Sequence, residues 1–222
     1  MKKIKIAVIT ASIGGIDVIK SMPEQTAKFD RFYFTDSNMP FPLPGIDNRL
    51  KAKYFKLQAH KIFDHDIIIW IDGNIQIKTN DFIENMVWHL DDQSDMVISK
   101  HPFRKCIYEE AEFITSEIKK GNKYLQTRYN ADYIAKEIEY FRSKGHPENA
   151  GLYWCGLFAR KNNSKINAFF DDWWEDNILW SNFDQNNFVF QQLQHEIKLS
   201  TPEWGDFYKN DNYELIHHSK LM

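Results

Sequence analysis

Trp70-Ile71-Asp72-Gly73-Asn74 puts a carboxylate and a carboxamide two residues apart, directly after the most apolar run of the chain, Ile67 to Ile71. In open α/β sheets, ligands bind at the carboxyl ends of the strands, so an acid just past a buried strand stands at the natural ligand crevice. A carboxylate there can hold Mg²⁺ or Mn²⁺, which prefer oxygen ligands. Asn74 adds a neutral carbonyl oxygen, and Gly73 lets the backbone turn tightly or approach another group closely. Asp-Gly is equally a favoured hairpin dipeptide, so a plain turn between two strands satisfies the same residues.

Arg49, Lys53, Lys56 and His60 follow one another at i, i+4, i+7 and i+11. On a continuous helix they fall within roughly 60° of each other. Leu50, Tyr54 and Leu57 mark a separate apolar face. Four potential cations in line repel one another unless an anion faces them. A pyrophosphate meets that need, and the planar fork of Arg suits phosphate oxygens. A solvated helix face would show the same pattern.

Three further groups carry possible chemistry. His101-Pro102-Phe103-Arg104 leads into Tyr108-Glu109-Glu110, where Arg104 can meet an acidic group and the two glutamates can meet hydroxyls. The glutamates also suit a helix N-terminus. Asp184 follows the aromatic pair Trp173-Trp174 and opens a helix; it reads as a general base or as a helix cap. His217 and His218 lie near the C-terminus, and a histidine folded back onto Asp72 would complete a metal shell of Asp72, Asn74 and His218.

The elements needed to position these residues are legible from hydrophobic periodicity. Ile4 to Ile9 reads as a first buried strand ending in the small-residue turn Thr10-Ala11-Ser12-Ile13-Gly14, and Arg31 to Thr35 as a second strand ending at Asp36. The Pro-rich stretch from Asn38 is a loop, and a helix is expected from Asn48 to Phe63. Strands follow at Ile67–Ile71, Ile75–Ile77, Met96–Ser99 and Gly151–Ala159. Helices are expected from Asp81 to Leu90, over most of 107–143 with a break at Gly121-Asn122, and over 163–179 and 184–195. The tail beyond Ser200 reads as mostly irregular. Strands alternating with helices predict an α/β fold, one domain over residues 1–222, with a mixed, largely parallel central sheet flanked by helices.

Composition narrows the function classes. The 28 basic and 31 acidic residues are interspersed and give a net charge of −3, which argues against a broad nucleic-acid-binding face. No apolar run approaches the roughly 18 residues of a membrane span. Two cysteines at no metal-ligand spacing fit a reducing compartment, so a cytoplasmic location is expected. Aromatic residues make up 15% of the chain; most are expected in the core, and the rest are candidates for the flat faces on which sugar rings or bases stack.

Taken in order, the Arg49–His60 segment, Ile69 to Asn74, His101-Pro102 with Arg104 and Tyr108-Glu109-Glu110, and Asp184-Gln185 resemble a glycosyltransferase-domain family. That family includes plant mucilage- and turgor-related proteins and small bacterial and viral relatives. The resemblance implies a GT-A, Rossmann-like fold, a nucleotide-diphosphate-sugar donor with a UDP-sugar favoured, a glycan or glycolipid acceptor, and Mn²⁺ or Mg²⁺ at an Asp-x-Asp-like motif. Asp72 takes its first acidic position and Asn74 its last, where an amide replaces the usual second carboxylate. The donor is then expected against Thr10, Ala11, Ser12, Gly14, Asp36, Arg49, Lys53, Lys56, His60, Asp72 and Gly73. The acceptor is expected between Arg104, Glu109, Glu110, Tyr153 and Trp154. Asp184 is the expected base if the reaction inverts the anomeric centre, and a positioning group if it retains it. A non-catalytic nucleotide-sugar or glycan-binding module and a nucleotidyltransferase are the competing readings; the latter lacks a Gly-rich phosphate loop with its lysine.

Overall fold

The structure is a computed structural model, and it describes residues 3–18 and 20–218. Its strands are β1 (Ile6–Ala11), β2 (Asp30–Phe34), β3 (Ile67–Ile71), β4 (Ile75–Ile77), β5 (Met96–Lys100), β6 (Tyr153–Lys161), β7 (Leu199–Ser200) and β8 (Tyr213–Leu215). Its helices are α1 (Asn48–Leu57), α2 (Phe82–Trp88), α3 (Ile107–Lys119), α4 (Lys123–Gln126), α5 (Ala131–Ser143), α6 (Ser164–Leu179) and α7 (Asp184–Gln194).

Six strands form the central sheet in the order β2-β1-β3-β6-β5-β7. β1 pairs in parallel with both β2 and β3, and β5 with β7, while β6 runs antiparallel to its neighbours β3 and β5. The sheet is therefore mixed and mostly parallel, Rossmann-like in character. β1 and β3 are buried along their whole lengths, as strands covered on both faces must be. One face packs Phe55 and Leu57 of α1 with Phe169, Phe170 and Trp173 of α6 and Phe188 of α7. The other packs Phe82, Ile83 and Met86 of α2 with Ile75, Ile77 and Tyr213 of the β4–β8 ribbon.

Capping fixes where the site-bearing helices begin. Asp47 accepts from the Leu50 amide at 2.8 Å to start α1, and Asn163 accepts from the Ile166 amide at 3.0 Å to start α6. Asp184 is the first residue of α7, preceded by Phe183 at the cap, so its carboxylate does not serve as the helix cap.

One expectation from the sequence is corrected here. The helix expected to Phe63 stops at Leu57, because Gln58 leaves helical geometry and donates its side-chain amide to the Phe170 carbonyl at 3.1 Å. A 3₁₀ turn over Ala59–Lys61 follows, which breaks the continuous face on which His60 was placed. The tail beyond Ser200 is mostly irregular, as expected, apart from one short strand. Tyr213–Leu215 pairs antiparallel with Ile75–Ile77, so β4 leaves the main sheet and takes its partner from the end of the chain. Asp72-Gly73-Asn74 is thus a turn, closed by the Ile75 amide on the Asp72 carbonyl at 3.0 Å, but it is not the tip of a hairpin.

Candidate active site

A cavity of about 310 Å³ opens at the carboxyl ends of β1 and β3. The chain order departs to opposite sides at that point, from β1 to β2 on one flank and to β3 on the other, which is the switch point where such sheets bind ligands. Because β6 is antiparallel, its first residues rather than its last reach the same edge, and Trp154, Cys155 and Gly156 line the wall. α1 supplies Asn48, Arg49, Ala52, Lys53 and Lys56, and α7 supplies Asp184 and Gln185.

At the floor, the Trp70 indole donates to Asp72 Oδ1 at 2.6 Å, and Lys56 Nζ lies 3.9 Å from the same oxygen. Partial burial raises the Asp72 carboxyl above its ordinary value, with Lys56 and the indole opposing that rise. The side chain keeps 39% of its surface open, so it faces the cavity and is not sealed in the core.

Deeper, Asp184 bridges both lysines: Oδ1 lies 2.6 Å from Lys53 Nζ and Oδ2 lies 2.7 Å from Lys56 Nζ. All three side chains are largely buried, at 11%, 4% and 13% exposure for Lys53, Lys56 and Asp184. Burial alone would raise the Asp184 carboxyl, but the two ammonium groups outweigh it and hold the group well below the carboxylate range. Burial lowers Lys53 to about 8 against the attraction of Asp184. Burial also works against Lys56, yet Asp184 and Asp72 together raise it. A carboxylate held this tightly is a poor proton acceptor. In this arrangement both oxygens of Asp184 are engaged by the lysines, and its geometry is that of a group that positions them.

The small-residue turn after β1 reaches the cavity only in part, since Gly14 and Asp36 do not line it. The Gly14 amide donates to Asp36 Oδ2 at 2.7 Å, joining the ends of β1 and β2, and Ala11, Ser12 and Ile13 line the cavity. Gly14 has φ +80°, and a Cβ there would lie 2.7 Å from Asn48 Nδ2, so the position admits only glycine. Thr10 is buried and faces away from this cavity. At Gly73 a Cβ would fall 2.9 Å from Asp17 Oδ2, so the glycine makes room for the Asp17 side chain.

Other expected site residues lie elsewhere. His60 contacts Asp171 at 3.1 Å, and burial lowers it to about 4; it belongs to the packing of the 3₁₀ turn against α6 rather than the cavity. Arg104 is bonded to the buried Glu110 and stacks on Phe113, so that pair holds α3 in place and is not free for hydroxyls. Glu109 accepts from the Lys105 amide at 3.2 Å and stays outside the cavity, as does Tyr153. Of the five expected acceptor residues, Trp154 alone lines it.

The metal expectation meets a different arrangement. Asp72, Asn74 and His218 all line the cavity, and oxygen with imidazole donors suits Mn²⁺ or Mg²⁺. However, His218 Nδ1 turns to Asp17 Oδ1 at 2.8 Å, and one Asp72 oxygen is engaged by Trp70. Among the described residues, no three His, Cys, Asp or Glu side chains gather closely enough to hold an ion. The donor chemistry suits the ion while the geometry does not fit it.

Sequence reasoning missed Asp17, Tyr124, Arg128, Tyr129 and Phe207, which also line the cavity. Tyr124 and Arg128 are four apart across a four-residue helix, too short for periodicity to single out.

No match was found among curated proteins. No helix among the described residues is long and apolar enough to cross a membrane. The model of one family, the TOD1/MUCI70 glycosyltransferase-like domain, matches residues 37–215. That stretch takes in α1, the Asp72 turn, α4 and Asp184, so most of the cavity wall lies within it. The chain belongs to the TOD1/MUCI70 glycosyltransferase-like family.

Proposed function

We propose that the chain transfers a glycosyl group from a nucleotide-diphosphate-sugar, a UDP-sugar favoured, to a hydroxyl of a glycan or glycolipid. The observation that carries this reading is the meeting, in one cavity, of the acidic turn ending β3 and the cationic face of α1. In the transfer, the bond from the anomeric carbon to the diphosphate oxygen breaks, and negative charge collects on the departing diphosphate. Fixed cations beside that oxygen stabilise the transition state more than the ground state. Asp184 holds Lys53 and Lys56 in position, so their charges need no reorganisation as the bond breaks. Asp72, at the floor and partly open, is the carboxylate available to the reacting end of the donor. Trp154 and Phe207 supply flat faces at the wall, against which the acceptor sugar stacks.

The test is turnover of a nucleotide-sugar panel, with and without Mn²⁺, reading released nucleotide and new glycoside. Asp72→Asn keeps an oxygen acceptor for the Trp70 indole while removing the charge. It should lower turnover by about 100-fold or more with the thermal transition unchanged, the scale of losing one fixed electrostatic group in such a site. Wild-type turnover in that variant removes Asp72 from the mechanism. Binding of a donor without any turnover favours a non-catalytic module, and pyrophosphate release from a nucleoside triphosphate and a sugar phosphate favours a nucleotidyltransferase.

A further inference from the structure

With Lys53 and Lys56 both committed to Asp184, the cations left facing the cavity are Arg49 and Arg128. Neither guanidinium has a carboxylate within ion-pair distance among the described residues. Instead, each lies over a tyrosine: Arg49 is 4.7 Å from the Tyr129 ring centroid, and Arg128 is 4.5 Å from that of Tyr124. Arg49 also donates to the Arg128 carbonyl, which ties α1 to the segment after α4. Tyr129 is itself held edge-on by Phe183 at 4.8 Å. Two like charges are thus oriented side by side by rings and a carbonyl, none of which neutralises them.

The wall as a whole carries the same imbalance. Arg49, Lys53, Lys56 and Arg128 face Asp17, Asp72 and Asp184, and Asp17 is bonded to His218. Unpaired guanidinium groups at a concave, partly desolvated surface favour an anion, and their planar forks match phosphate oxygens. A diphosphate offers several such oxygens along a short span.

We infer that Arg49 and Arg128 form a guanidinium clamp that grips the diphosphate of the donor directly, without requiring a metal ion between them. The clamp rests on the donor class proposed above and goes beyond it in naming the residues and the metal-free grip. The stacked rings hold both forks open before the ligand arrives, so little side-chain entropy remains to be lost on binding.

Calorimetry in EDTA, with inorganic pyrophosphate and UDP as probes and uridine as the uncharged control, tests it. Wild-type protein should bind pyrophosphate and UDP in the chelator, more weakly as salt rises. Arg128→Gln should weaken both by about tenfold or more, the scale of losing a charged hydrogen-bonded contact, and leave uridine unaffected. The Arg49→Gln, Arg128→Gln double variant should bind pyrophosphate no better than a control protein. Tyr124 is 41% exposed, so removing the Arg128 side chain above it leaves no buried void; an unchanged thermal transition verifies this. Wild-type pyrophosphate affinity in Arg128→Gln, or binding that appears only when Mn²⁺ is added, overturns the clamp. Pyrophosphate binding with no turnover of any nucleotide-sugar leaves the clamp standing and removes the transfer reading. Turnover with pyrophosphate affinity unaltered in Arg128→Gln does the reverse.

Discussion

At the scale of single residues, the cavity is governed by how buried charge is compensated. Two ammonium groups at 11% and 4% exposure are tolerable because one carboxylate reaches both, and each oxygen of Asp184 is committed to a different lysine. Asp184→Asn keeps the shape and removes the charge, leaving buried Lys53 without its anion and Lys56 with only Asp72 at 3.9 Å. The expected cost is about 3–5 kcal/mol of stability, the range for breaking a buried ion pair, read from urea denaturation at neutral pH. The pH dependence has a definite sign. The folded-state carboxyl lies below its unfolded value, so its stabilising contribution is fully present above the ordinary Asp range. It is lost as pH falls through the lower folded value. Wild-type protein should therefore lose stability on acidification, and the Asp184→Asn substitution should remove that part of the slope.

At the scale of elements, α5, α6 and α7 enclose a second buried acid, away from the cavity. Glu137 on α5 accepts from Ser181 Oγ at 2.7 Å and from Asn186 Nδ2 at 3.3 Å, and its other oxygen has no partner. Burial raises it to about 8, against these hydrogen bonds and with a smaller push from the Asp176 charge. Between the unfolded Glu value and about 8, the folded state keeps a proton that the unfolded chain has released. Stability therefore falls as pH rises through that window, by at most ~1.4 kcal/mol per pH unit from this group. Glu137→Gln keeps a neutral amide in the same place. Thermal melts from pH 5 to 8 should be flatter for the variant than for wild type, with the variant ahead at pH 8. Parallel curves would mean Glu137 is already ionised in the folded protein.

At the scale of the whole molecule, segments distant in sequence meet over the cavity. β8 pairs with β4, the Ile216 amide donates to the Asn74 carbonyl at 2.8 Å, and His218 reaches Asp17. Leu215 and His218 line the wall, and Tyr213 is 1% exposed within the second core cluster. A chain ended after Asn212 leaves the edge of β4 unpaired and the Asp72 turn unsupported on one side. It should melt at a lower temperature and bind UDP more weakly. Equal UDP affinity would show that the ribbon braces the fold but not the site.

What the sequence decided by itself is local. The continuous run Ile67–Ile71 could only be a covered strand, and the acid after it had to stand at a strand end. The extents of α6 and α7 were likewise legible from hydrophobic periodicity. What the tertiary structure decided is pairing. Lys53 and Lys56 are separated from Asp184 by more than a hundred residues of chain, and no periodicity says that the expected base and the expected phosphate ligands pair with each other. The same holds for Arg104 with Glu110 and for His60 with Asp171: a charge reads as available until the fold supplies its partner. Arg128 is the converse, an unremarked residue after a short helix that the fold brings to the cavity with no carboxylate within ion-pair distance among the described residues. Spacing along a chain encodes which face a side chain occupies, whereas the Coulomb energy that sets its role depends on distances that only the packed chain defines.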